Sequence, residues 1–96
     1  MREVYDIEVP EFPIKNEPLV CEEIDESTYV YINENDGATM TLNATASVVF
    51  DMCNGKNTDK QMADLIADTM GIEHNIILKD VQDILQELAG FGFIHD

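Results

Sequence analysis

The sequence predicts an α+β domain in which a three-stranded antiparallel β-meander is followed by three α-helices. Three observations lead there. Up to Leu42 the apolar residues follow a strand-like alternation, and from Ala44 they recur at helical spacing with no spacer between the two patterns. Asn43 stands at the change, and its side-chain oxygen can accept a free N–H of the first helical turn, so a strand can end and a helix begin at one residue. Asn54-Gly55, Gly71 and Gly92 then stand where successive helices should stop.

Residues 1–18 hold all three prolines, Pro10, Pro13 and Pro18, with Val4, Tyr5, Ile7, Val9, Phe12 and Ile14 scattered among acids. Proline removes backbone donors and biases its predecessor toward extended geometry, so this stretch reads as an extended arm, loose or laid along the domain. The folded domain is expected to occupy residues 19–96. Leu19, Val20, Cys21 and Ile24 fit a first strand over residues 19–25, and Glu26-Ser27 a tight connection. The second strand, residues 28–34, puts Val30 and Ile32 on one face and Tyr29 and Tyr31 on the other. Asn35-Asp36-Gly37 supplies a hairpin turn. A third strand over residues 38–42 turns Ala38, Met40 and Leu42 one way and Thr39 and Thr41 the other, which leaves the first and third strands as sheet edges.

Ala46, Val49, Phe50 and Cys53 mark the buried stripe of a first helix over residues 44–53. Thr58 and Gln61 have the spacing of a capping box for a second helix, whose inner face reads Met62, Leu65, Ile66 and Thr69. The third helix spans residues 75–91 with Ile77, Val81, Ile84, Leu85 and Leu88 on its apolar side, after which Phe93-Ile94 returns the chain to the core. The order of elements resembles a rearranged winged helix.

Composition excludes several functions. Twenty Asp and Glu against five Lys and Arg give a formal net charge of -15, which repels phosphate backbones and anionic membrane surfaces. The 45% hydrophobic content separates this acidity from that of a disordered chain. Residues 1–18 carry no apolar run long enough for a signal peptide or a membrane span, and Cys21 and Cys53 read as reduced, buried thiols, so the expected compartment is the cytoplasm. His74 and His95 lack ligand partners at zinc spacing, so no metal or other cofactor is expected. Asp80, Asp83 and Glu87 read as a solvated helix face with no acid–base partner, and no glycine-rich loop follows a strand, so the chain is not expected to be an enzyme. The same acids argue against a DNA-reading third helix. A carrier-protein reading fails because neither Ser27, in a turn, nor Ser47, inside a helix, occupies a helix start.

What remains is a binding surface. An edge strand exposes N–H and C=O groups that an extended peptide can complete, and the third strand has no proline or lysine to block it. With the third helix beside it, the two form a groove; alternatively Met40, Leu42, Val81, Ile84 and Leu88 are core.

The series Leu42-Asn43-x-Thr45-Ala46, Cys53-Asn54-Gly55, Thr58, Asp80-Val81 and Leu88-x-x-x-Gly92-Phe93-Ile94 resembles the PqqD-like family, the RiPP recognition elements, over residues 19–94. Asn54 stands where the family commonly has Asp, which leaves the helix stop intact. The resemblance implies a non-catalytic peptide chaperone that binds the leader segment of a ribosomally made precursor peptide and presents it to a modifying enzyme, often a radical S-adenosylmethionine enzyme. It implies that the leader adds beside the third strand against the third helix. Carried onto this chain, the site would comprise Ala38, Thr39, Met40, Thr41 and Leu42, with Ile77, Asp80, Val81, Ile84 and Leu85 across from them. Met40 and Ile84 would accept leader side chains, and the acidity suggests a leader or enzyme surface rich in Lys or Arg. The alternative is a winged-helix-like interaction or regulatory module that binds no peptide strand. Monomer and homodimer both fit the exposed edges.

Overall fold

The computed structural model describes residues 9–96. Eight elements follow one another: β1 (Ile14–Lys15), β2 (Leu19–Asp25), β3 (Thr28–Asn33), β4 (Thr39–Asn43), α1 (Ala44–Asp51), α2 (Asp59–Met70), α3 (His74–Gly90) and β5 (Ile94–His95). The α+β class and the order of three antiparallel strands and three helices are as the sequence predicts. The sheet runs β2-β3-β4, so β2 and β4 are its edges.

Asn43 joins strand to helix as its chemistry requires. Its backbone is extended, with φ -79° and ψ 178°, and its side-chain oxygen accepts the Ala46 N–H at 2.8 Å. Because β4 enters α1 with no linker, its inward residues Met40 and Leu42 lead directly into the buried stripe of Ala46, Val49, Phe50 and Cys53. Tyr31 lies opposite Met40 and Tyr29 opposite Leu42, so the tyrosine face of β3 is the inner one. The Tyr31 hydroxyl hydrogen-bonds Ser47 on α1, and burial pushes its pKa up to about 12. Cys53 donates to the Val49 carbonyl, and burial pushes that thiol up to about 12 as well.

The Thr58–Gln61 capping box forms in both directions, at 3.2 and 2.8 Å. α2, however, buries Met62, Ala63, Ile66 and Ala67, while Leu65 and Thr69 face outward. The expected inner stripe is therefore displaced by one residue, because alanines at two adjacent turns let α2 approach α3 closely. Cys21 also departs from expectation: it is exposed, since nearly all of β2 projects beyond the helical layer.

The two-residue strands β1 and β5 pair antiparallel, a pairing absent from the sequence reading. Within residues 9–18, Pro13 is buried, its carbonyl accepts the Gly55 N–H at 2.9 Å, and the Lys15 N–H donates to Cys53 at 3.0 Å. Gly55 has φ +84°, and a Cβ there would meet Ile14 Cγ1 at 3.2 Å, so this crossing requires glycine. Val4, Tyr5 and Ile7 lie outside the described residues.

At the first turn of α3, His74 Nδ1 is 2.8 Å from Asp64 and Nε2 is 3.3 Å from Asp68, which clamps α3 to α2. These hydrogen bonds raise the His74 pKa above its ordinary 6.5. A raised folded pKa stabilises the fold fully below the unfolded value and loses that contribution as pH rises through the folded one. The melting temperature is expected to fall modestly between pH 6 and pH 8, and the His74→Gln variant should show a shallower fall over the same interval. A slope identical in both proteins would exclude the clamp.

Candidate functional site

The open edge of β4 is one wall of a groove, and hydrogen-bond parity fixes what it presents. Asn33 N–H donates to the Ala38 carbonyl at 2.8 Å, so Asn33 and Ala38 form a bonded pair. In an antiparallel ladder bonded and non-bonded pairs alternate. With Tyr31 opposite Met40 and Tyr29 opposite Leu42, those pairs exchange bonds across the ladder. Thr39 and Thr41 therefore direct both N–H and C=O at the open edge, and Asn43 adds its N–H, its carbonyl being taken into α1. Among the described residues, no strand pairs with this edge.

The other wall is α3. One hollow of about 260 Å³ lies between residues 39–42 and Glu87, Leu88 and Phe91. A second, about 400 Å³, lies between Asn43, Thr45 and the residues Asp80, Asp83, Ile84 and Glu87. They share Glu87 and make one groove. Its floor is apolar, built from Met40, Leu42 and Leu88, which are all buried, with half-buried Ile84 beside them. The helix wall is acidic: Asp80, Asp83 and Glu87 project along it, and Lys79 reaches Asp83 at 3.4 Å on the exposed side.

Of the residues expected to form a site, Thr39, Met40, Thr41 and Leu42 line the strand wall, and Asp80 and Ile84 the helix wall. Ala38 sits half-buried just before β4 with its carbonyl already bonded to Asn33. Ile77, Val81 and Leu85 are 3%, 0% and 1% exposed, and belong to the core. They do not line the groove, because the α3 stripe packed against α1 and α2 is not the stripe that faces β4. Asn43, Thr45, Asp83, Glu87 and Phe91 were not expected, and Leu88, weighed as groove or core, is buried at the groove's floor. A signal existed: Asp80, Asp83, Ile84, Glu87 and Phe91 fall at i, i+3, i+4, i+7 and i+11, one helical stripe beside the core stripe. Chemically the groove offers directed backbone bonds, an apolar floor and carboxylates, the means to hold an extended chain. Among the described residues no cluster of His, Cys, Asp and Glu is arranged to hold a metal ion. No helix of the described residues is long and apolar enough to cross a membrane.

The family model described as Coenzyme PQQ synthesis protein D (PqqD) matches residues 28–94, from β3 to β5. Two solved structures share the fold. The PqqD truncation of Methylobacterium extorquens PqqCD, described as a functional and stand-alone RiPP recognition element, is 21% identical, with a TM-score of 0.73 over 96% of this chain and 97% of that one. TbiB1 in complex with the TbiA(beta) leader peptide is 17% identical, with a TM-score of 0.69 over 85% of this chain and 94% of that one. A search of the curated proteins gave no match.

Proposed function

Because this chain belongs to the PqqD family, we propose that it is a non-catalytic recognition element that binds the leader segment of a ribosomally made precursor peptide as a strand added to β4. It then presents the peptide to a modifying enzyme, with a cytoplasmic radical S-adenosylmethionine enzyme as the first recipient to test. The observation that carries this reading is the open β4 edge, with Thr39 and Thr41 directed outward across an apolar floor from α3. The leader described in complex with TbiB1 lends it support by likeness of fold.

Strand addition implies a recognition rule. A peptide residue opposite Thr39 or Thr41 exchanges backbone bonds and projects to the outer face of the sheet, while one opposite Met40 or Leu42 projects into the groove. Every second leader residue is thus read by Met40, Leu42, Ile84 and Leu88 at the floor and by Asp80, Asp83 and Glu87 on the wall. Long basic side chains satisfy both, laying their stems on apolar surface and their heads against carboxylates. The net charge of -15 favours the same ligands at long range.

A backbone-amide NMR titration with the synthetic leader half of a candidate precursor peptide tests the reading. Shifts are expected over Thr39–Asn43 and residues 80–91, with affinity falling severalfold as salt rises from about 0.05 to 0.5 M, where screening shortens to a few ångströms. An affinity indifferent to salt would remove the basic-leader rule, and an unshifted β4 would remove strand addition.

A further inference from the structure

Beyond the groove lies a separate cleft of about 400 Å³ between α1 and α2, lined almost wholly by apolar surface from Val48, Met52, Leu65, Ile66 and Met70. Three of these are conspicuously exposed for their type: Val48 at 45%, Leu65 at 53% and Met70 at 52%. Large apolar surface gathered in one concavity is a feature of binding sites more than of idle surface. Thr45 lines both this cleft and the groove, and Ala44, the residue following β4, lines the cleft. The two hollows therefore adjoin, and the cleft opens within two residues of the end of the strand wall, about 8 Å along the chain.

We propose that the peptide held on β4 continues past Asn43, crosses Thr45 and seats a large apolar side chain in the α1–α2 cleft. This rests on the leader-binding reading and adds a second subsite to it. Continuity selects this occupant, because a chain laid along β4 and leaving at Asn43 meets the cleft next. Charge disfavours a second copy of this chain, since two bodies of formal charge -15 repel one another. Met52 and Met70 suit the role, as their flexible thioethers can conform to different apolar side chains. Antiparallel addition, the commoner mode, places this anchor on the N-terminal side of the bonded segment. The ligand thus carries a large apolar residue followed by a strand with basic residues at alternate positions.

The test compares the full synthetic leader with a version trimmed of the residues N-terminal to the bonded segment, against three proteins: the unaltered chain, the charge-neutral pair Leu65→Gln with Met70→Gln, and Thr41→Pro. Both glutamines replace exposed residues, so the fold should survive. The pair is expected to bind the full leader about tenfold more weakly, what losing the burial of one large apolar side chain brings, and to bind the trimmed leader as the unaltered chain does. If the pair binds the full leader normally, or loses equally with both peptides, while Thr41→Pro still weakens binding, the cleft is not a subsite and the groove reading stands. If Thr41→Pro has no effect, or neither peptide binds the unaltered chain, the groove reading falls and the cleft proposal falls with it.

Discussion

Replacing Thr41 with proline is expected to leave the protein folded and to weaken leader binding by about 10- to 100-fold. Thr41 is exposed, and its N–H points away from β3, so proline removes no bond that the free protein makes. It removes a donor to the incoming strand. A peptide carbonyl left without its partner in the groove costs about 1–3 kcal/mol, and each 1.4 kcal/mol is tenfold in affinity. Titration calorimetry reads the loss, and far-UV circular dichroism checks the fold. The adjacent position is the control: Met40 donates into the β3 ladder and is buried, so Met40→Pro should unfold the sheet instead. Undiminished binding by Thr41→Pro would mean that no peptide strand adds to β4, and the groove reading would fall.

The parts of the fold that a linear pattern encodes strongly were legible in the sequence. Asn43 gave the strand-to-helix junction because its capping chemistry is local, and Thr58 with Gln61 gave the second helix start for the same reason. Where outcomes depend on what packs alongside, the pattern failed. Leu65 is more hydrophobic than Ala63 or Ala67, yet the alanines are buried and Leu65 is not, because close helix approach selects small residues. Cys21 sits in an apolar run that reads as buried, but an edge strand extending past the helical layer has nothing to cover it. The β1–β5 pair, two residues long on each side and joined across most of the chain, has no periodic signature at all.

The candidate site divides along the same line. Its strand wall was readable, since alternation over a few residues assigns the faces of β4 and turn spacing identifies it as an edge. Its helix wall was legible in part, at Asp80 and Ile84. Ile77, Val81 and Leu85, expected there from the family resemblance, pack inward, whereas the groove runs where the apolar stripe meets the acidic one. Asp83 and Glu87 look like ordinary solvated acids until β4 is placed opposite them. Phe91, 66% exposed, lies just past the helix and lines the groove's end.

The largest effect on stability is expected at Phe50. Its ring is fully buried, meets Tyr31 of β3 edge-on at 4.9 Å and Phe93 near β5 at 6.4 Å, and lies 5.4 Å beneath the Lys15 ammonium. Phe50→Ala should cost about 3–5 kcal/mol, through lost burial and the cavity left behind. Domains of this size have about 5–15 kcal/mol in total, so the loss takes from about a fifth to all of the stability and lowers the urea midpoint in proportion. Phe50→Leu fills most of the volume and should lose well under half as much. The groove makes this residue matter for binding too. α1 packs against β3, β4 and α3, so it sets how far the two walls stand apart. In Phe50→Leu, which stays folded, a fall in leader affinity larger than the unfolded fraction accounts for would show that core packing around α1 holds the groove at its working width. Unchanged affinity would mean that β4 and α3 tolerate repacking beneath them, and that the groove adapts to its ligand.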